Sequence, residues 1–484
     1  MKEIFMKSAM QTIRPRISYF GCGTSHFQSE PILYDSRGRK IQPSSDWEFE
    51  LDKNLEGLKS GITHKQIEAQ LPRFLEKCQK YVDRSAELGN NMVRFSIDFA
   101  RLCPAKGEFN GPLMAQYVRV LARIRISRQE PMLTMHHFTM PRYLIETDLN
   151  GAITKGGWEH PEVLKHFRFY MESVVKFLGN RDAIRSILIA EGCNATIQDQ
   201  LLDEGLVYYF LTINEPAITS LNCYITGVFP PYKRISLLTA RKVLATIRDA
   251  HDICRRELKT LGSIMPKSRE PQIGVGYNWQ YYDGALGAVA HKYLDRYYTD
   301  QFERDGSFSD FIGLHYYFRQ TMPFFTKRWG GRIYSDMPTF GDVYPKGILT
   351  VLQQMNSAYP SKPIFISEVG FSDASDLRRP FWIFETLRYI ALAHSQGIPI
   401  AGVLLWSLVN NFEWDLGMEQ KFGLFDEVEL SSPLSSNADR IRSWEAWRLG
   451  VNALRHPTNE ALEDLQTGYE RSKLQHEVSL GRNQ

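Results

Sequence analysis

The chain has 484 residues, 43% hydrophobic and 23% charged, with a net charge of +3. These are ordinary proportions for a globular protein. The near-neutral balance, without a basic run interleaved with aromatics, argues against a nucleic-acid partner. The six scattered cysteines form no Cys-x-x-Cys pair, which argues against a disulfide framework or a zinc site and for a reducing, cytoplasmic setting.

The N-terminal stretch up to Lys7 lacks the sustained apolar run of a signal peptide. A first strand is predicted at residues 17–20. Gly21-Cys22-Gly23 after it hints at a dinucleotide loop but lacks the third glycine. From Leu71 onward, Phe74, Leu75, Cys78, Val82 and Ala86 recur at helical spacing and stop at Gly89. Segments ending at Gly179, Gly262 and Gly397 close in the same way, with glycine free to adopt the left-handed position after a helix. Further strands are predicted at 92–97, 131–136, 208–213, 272–277, 311–316, 363–367 and 401–407. The apolar stretch 398–409 is too short to cross a bilayer, so no membrane partner is expected.

Strands alternating with helices imply parallel pairing through helical crossovers. Eight such units close a (β/α)₈ TIM barrel, here with elaborated loops, whose chemistry lies at the C-terminal ends of the strands. No linker divides the chain, so residues 1–484 read as one α/β catalytic domain. The barrel spans about 17–455, and a charged tail at about 457–484 is expected to fray. Residues 181–207 make an unusually long helix-to-strand connection, expected on the opposite face and suited to packing or assembly.

Two carboxylates stand out. Glu215 ends Phe210-Leu211-Thr212-Ile213-Asn214-Glu215-Pro216, and Glu368 ends Pro363-Ile364-Phe365-Ile366-Ser367-Glu368-Val369-Gly370. A charge is costly inside such an apolar run and tolerated where the strand opens into a loop. Either acid alone reads as an ordinary strand-end carboxylate. As a pair they suit acetal cleavage, in which one group protonates the leaving oxygen and the other meets the developing cation. A gap of about 5–5.5 Å retains configuration and one of about 6.5–9.5 Å inverts it.

The sequence around both acids resembles glycoside hydrolase family 1, the β-glucosidase and β-galactosidase family. Thr212-Ile213-Asn214-Glu215-Pro216 is similar to its acid/base motif and Ile366-Ser367-Glu368-Val369-Gly370 to its nucleophile motif. Arg94-Phe95-Ser96-Ile97, His137-Phe138-Thr139-Met140-Pro141, Gly156-Gly157-Trp158, Asp310-Phe311-Ile312-Gly313, Trp406 to Trp414 and Lys421-Phe422-Gly423-Leu424 follow in family order. The resemblance implies a retaining, exo-acting β-glycosidase on a barrel of this kind, with no cofactor, no metal and a β-glycoside as partner. It implies that Glu215 is the acid/base and Glu368 the nucleophile. Arg94, Asn214 and Tyr317 would support them. Gln28, His137, Trp406, Glu413, Trp414 and Phe422 would hold the sugar. Independently, an Arg amid Val93, Phe95 and Ile97 needs an anion, and Glu368 is the obvious one, so the pair would keep that carboxylate ionised. Glu215 would have to rise towards about 6 to hold a proton near neutrality.

This chain departs from the family pattern at His315, where Asn is usual, at Val369 after the nucleophile, at Phe138 after His137, and over Ser96 to Arg101. These positions border the acids, so a catalytically silent sugar-binding protein and a transglycosylase stand as alternatives. Members acting on 6-phosphorylated sugars lack the acid at Glu413 and carry a Ser-x-Lys-x-Tyr clamp, so the resemblance implies neutral sugars. Asp46-Trp47 resembles archaeal-type members. The sequence leaves the choice among hexoses, the aglycone and the oligomeric state open.

Overall fold

Eight strands pair in parallel and close on themselves. In the computed structural model, which describes residues 2–9, 16–31, 44–53, 73–264, 269–303, 309–322, 342–360, 362–437 and 440–481, they are β1 (Tyr19–Gly23), β2 (Met92–Ser96), β3 (Glu130–His136), β4 (Tyr209–Asn214), β5 (Gln272–Asn278), β6 (Phe311–Tyr316), β7 (Ile364–Val369) and β8 (Ile400–Trp406). Each pairs with its sequence neighbour, and β8 pairs with β1 to close the ring. All eight strands predicted from sequence are present, with ends shifted by up to three residues. The fold is a (β/α)₈ barrel.

The strands are covered on both faces, as parallel strands need to be. Met92, Met132, Leu211, Phe311, Phe365 and Leu404 form an apolar layer fed by six of the strands. Gly274 of β5 makes room for this layer, because a Cβ there would lie 2.5 Å from the Phe311 ring. Gly21, from the Gly-Cys-Gly stretch, has a packing role too. A Cβ on it would stand 2.0 Å from the Met92 carbonyl oxygen, so the residue allows β1 and β2 to close up.

Above this layer the pleat is broken on two strands. Leu211 pairs with Gly274 and Asn214 with Gly276, so β4 advances three residues while β5 advances two. On β7, Ile366 pairs with Leu314 and Glu368 with His315, two residues against one. Each shift inserts one extra residue, and a bulge of this kind re-aims the side chains beyond it. With Phe365 facing the interior, strict alternation would turn Ser367 inward and Glu368 outward. The bulge reverses that for Glu368.

Helices fill the outer ring. The helix Phe74–Glu87 ends before Gly89, whose φ is +79°, and Gly397 has φ +86°, both left-handed as predicted. Leu71 lies outside the described residues. The other two helix ends differ from expectation. Gly179 stays right-handed because the next helix begins at once, with Asn180 capping Arg181–Ala190. Gly262 lies within the long helix Leu237–Ile264, two residues before its end.

The 181–207 connection folds as two capped helices, Arg181–Ala190 and Ala195–Glu204, which bury Ile184, Leu188, Leu201 and Leu202. It precedes β4 and so lies away from the strand ends that carry the acids. The C-terminal stretch does not fray. It forms the helix Asn459–Gly481, packed on Ser443–Arg455 and Arg379–Ser395. Ala461, Leu462 and Leu465 face inward and the charged residues face out, an amphipathic pattern that the overall charge of the stretch conceals. Among the described residues no helix is long and apolar enough to cross a membrane.

Leu465 is fully buried. Leu465→Ala is expected to cost about 2–5 kcal/mol in urea unfolding while leaving catalysis intact. A loss under about 0.5 kcal/mol would mean that the helix is not packed in solution.

Candidate active site

The site begins with one guanidinium. Arg94 on β2 is fully buried in the barrel interior. Its Nε donates to Thr134 Oγ1 on β3 at 2.9 Å, and its Nη2 to Asn214 Oδ1 on β4 at 2.7 Å. Its Nη1 donates to the Ser367 carbonyl at 3.0 Å and to Glu368 Oε1 on β7 at 2.5 Å. Four strands thus converge on a single cation. Because Asn214 accepts with its oxygen, its amide nitrogen is turned towards His137 Nε2, 3.3 Å away.

Glu368 is bound on its second oxygen as well. The Tyr317 hydroxyl donates to Oε2 at 2.6 Å, and burial pushes that phenol far above its usual range, so it stays a donor. Glu215 has different surroundings. It lies just past β4, with a left-handed backbone (φ +45°) and Pro216 starting the following helix. Asn278 Nδ2 donates to its Oε1 at 3.1 Å, and His315 Nδ1 lies 2.7 Å from the same oxygen. Burial raises its carboxyl to about 7, against smaller lowering by Asn278 and Arg94. The two acids therefore sit in opposed environments, one against a cation and one in a desolvated pocket. Carboxyl oxygens of the two come within 4.8 Å of each other.

Loops from the other strands build a wall around this pair. Gln28 lies in the short helix His26–Ser29, capped by Ser25, and donates to Glu413 Oε2 at 3.1 Å. Trp406, at the end of β8, donates to Glu413 and stacks against the His137 ring at 5.9 Å. Trp414 lies parallel to Phe27 at 5.3 Å and is backed by Trp47 at 5.0 Å, so the Asp46-Trp47 pair supports the cleft from behind. Phe422 packs on Trp406 and sets its edge on Tyr317. The cleft is open to solvent on one side and is lined by Gln28, His137, Asn214, Glu215, Tyr317, Glu368, Trp406, Glu413, Trp414 and Phe422. Of the residues singled out from sequence, only Arg94 lies beneath this surface, bonded to two of its members.

Sequence reasoning missed Asn278. It ends β5 and bonds Glu215, and the available signal was a polar residue closing an apolar strand, as at Glu215 itself. It also missed Phe229 and Ile218, which line the outer cleft and come from irregular or helical segments without a motif.

Glu215, His315 and Glu368 offer three atoms of the kind that bind metal ions. The 2.7 Å between His315 Nδ1 and Glu215 Oε1 is hydrogen-bond contact. Two ligands of a tetrahedral zinc, each about 2.1 Å from it, would stand about 3.4 Å apart. As placed, these atoms bond one another and do not frame an ion.

The profile of Glycosyl hydrolase family 1 matches residues 19–188 and 310–442, more than half of the chain. The chain belongs to this family. It is a glycosidase of a retaining family, and the matched segments hold Arg94, His137, Tyr317, Glu368, Trp406 and Glu413. Glu215 falls between them and reaches the site on β4. Rice Beta-glucosidase-like SFR2, chloroplastic, is 26% identical over 376 residues, covering 73% of this chain and 52% of that protein. The Galactolipid galactosyltransferase SFR2 of Arabidopsis thaliana is 23% identical over 375 residues, covering 73% and 54%. The chain thus matches about half the length of these two plant proteins. The structure of a beta-glycosidase from Pyrococcus horikoshii shares the fold at a TM-score of 0.67 and 23% identity, covering 93% of this chain and 97% of that one.

Removing one member of a buried ion pair strands the other, at about 3–5 kcal/mol. Arg94→Met should lose about that much in denaturant unfolding. Adding Glu368→Gln to it should return part of the loss. Simple additivity of the two changes would mean that the pair is not coupled.

Proposed function

We propose that the protein is an exo-acting β-glycosidase that hydrolyses β-glycosides of neutral sugars with retention, using Glu368 as nucleophile and Glu215 as general acid/base. The approach of their carboxyl oxygens to within 4.8 Å carries this reading, because it suits the spacing of about 5–5.5 Å that goes with retention better than the about 6.5–9.5 Å that goes with inversion. Glu368, held between Arg94 and Tyr317, attacks the anomeric carbon. Glu215 gives its proton to the leaving oxygen and then takes one from water. Asn214 is placed to bind the 2-hydroxyl, and Gln28, His137, Glu413, Trp414, Trp406 and Phe422 the rest of the ring. No cofactor enters these steps. The complete acid pair speaks against a silent sugar-binding role.

Glu413 adds little to a preference for neutral sugars. Burial, reinforced by Glu368, Glu215 and Asp415, pushes the Glu413 carboxyl up to about 8, so at neutral pH it is mostly protonated and repels a phosphate weakly. The stronger reason is that no Lys or Arg is among the described residues lining the cleft. Among those residues a phosphate drawn from water would find no cation. Within this reading the whole chain acts as one catalytic unit, and its six buried free cysteines suit a reducing compartment such as the cytoplasm.

Transfer to a sugar acceptor is the second reading, favoured by the galactosyltransferase name of the Arabidopsis relative. The chemistry differs only in what replaces water.

A panel of aryl β-glycosides should release phenol with at least one neutral hexose, and a 6-phosphoglucoside should react more slowly than its unphosphorylated counterpart. Faster release on adding an alcohol or sugar acceptor would favour transfer. A 2-deoxy-2-fluoro glycoside should label Glu368, and labelling of another residue would refute its role. Because Glu215 must be protonated to act, kcat/KM should fall as pH rises past about 7. Glu215→Ala should lose that limb and cost about 10²–10⁴ in rate on poor leaving groups.

A further inference from the structure

The two oxygens of Glu215 are not equivalent. Oε1 accepts from Asn278 and lies against His315 Nδ1. Among the described residues Oε2 has no protein partner, and Glu215 lines the cleft. His315, at the end of β6, is fully buried, and its Nε2 has no hydrogen-bond partner. The ring fits only because β5 carries a glycine opposite it. A Cβ on Gly276 would lie 2.8 Å from both Cε1 and Nε2.

This placement fixes the tautomer. Burial drives the imidazole pKa down to about 3, against a smaller raising by Glu368 and with a further lowering by Arg94, so the ring is neutral and has a single N–H. On Nε2 that hydrogen would be an orphaned donor facing Gly276. A buried N–H without an acceptor is costlier than a lone pair without a donor. The hydrogen therefore sits on Nδ1 and points at Oε1.

We propose that His315 is a positioning residue for the proton of Glu215. With Asn278 it fills Oε1 with two donors and so confines the proton to Oε2, the oxygen open to the cleft. The inference rests on the acid/base reading above. In the first step the Oε2 proton passes to the glycosidic oxygen as the C1–O bond breaks and a carboxylate oxygen of Glu368 bonds to C1. The two N–H groups on Oε1 stabilise the carboxylate left behind. In the second step Oε2 takes a proton from water as the water oxygen bonds to C1 and Glu368 leaves. Arg94 and Glu368 face His315, as does the neutral His137. Tyr317 and Glu413 face Glu215. None of them occupies Oε1.

The test compares His315→Leu, which removes the donor, with His315→Asn, which can supply one. The pH dependence of kcat/KM is read on phenyl and 2,4-dinitrophenyl β-glycosides, with Glu215→Ala as reference. Losing a donor to a carboxylate raises its pKa. The basic limb on the phenyl substrate should therefore move up by about one pH unit in the Leu variant and stay within about 0.3 units in the Asn variant. The Leu variant should also lose about tenfold more rate on the phenyl than on the dinitrophenyl substrate, which needs little acid help. An unmoved limb with equal losses on both substrates overturns the proposal. Should the Leu variant not fold, ¹⁵N spectra of histidine-labelled protein decide, with His315→Asn for assignment. A protonated Nδ1 and bare Nε2 that do not titrate between pH 5 and 8 support the proposal, and the reverse tautomer or a titration near 6 overturns it. Should the basic limb persist in Glu215→Ala, the acid/base reading itself fails and this inference with it.

Discussion

A single buried cation sets the terms for the rest of the site. An ion of this size taken from water into a barrel interior costs several kcal/mol unless its donors find acceptors. Four of the five N–H groups of Arg94 meet Thr134, Asn214, the Ser367 carbonyl and Glu368. These acceptors come from three other strands, far apart in sequence, so the guanidinium is satisfied only when β2, β3, β4 and β7 stand in one register. The bulges on β4 and β7 belong to the same constraint. Without the extra residue on each strand, Asn214 and Glu368 would turn away from the cation.

The same constraint separates the two acids. Arg94 takes Glu368 directly and reaches Glu215 only as a weaker influence behind desolvation. Two carboxyls this close would repel if both were charged. The cation and the phenol bond Glu368, while an amide and a neutral imidazole meet Glu215, whose burial favours its protonated form. Glu413, buried beyond the pair, feels both acids and is pushed towards neutrality in turn. Of these three acids, only Glu368 is bonded directly to Arg94.

The barrel was legible because parallel strands buried on both faces read as apolar runs, and the intervening helices carry a distinct period. Both acids were legible as charges at the ends of such runs, and Arg94 as a cation inside one. Other features were hidden by kind. The bulges leave no mark in composition, so alternation alone would have pointed Glu368 outward. The packed C-terminal helix was obscured by the charges on its outer face, which outweigh a narrow stripe at Leu462 and Leu465. His315 was visible only as a departure. Its bond to Glu215 depends on Gly276 across the sheet, and a single strand read alone does not show that pairing.

The layered barrel explains how such a site is supported. Phe138, Glu215 and Trp414 all line the cleft and all have positive φ, at 69°, 45° and 50°. Held in the left-handed region that glycine favours, each costs about 1–3 kcal/mol. Buried groups without partners add to this, among them His315 Nε2 and His137 Nδ1. One layer below, Met92, Met132, Leu211, Phe311, Phe365 and Leu404 make no polar demand. Burying each of them stabilises by roughly 1.5–3 kcal/mol relative to exposure. The strain at Phe138, Glu215 and Trp414 and the buried Arg94–Glu368 pair thus lie towards the C-terminal ends of the strands, where the cleft opens. The apolar layer beneath holds the strand spacing that Arg94 requires. The regular part of the barrel can tolerate an irregular rim because the two share strands but not side chains.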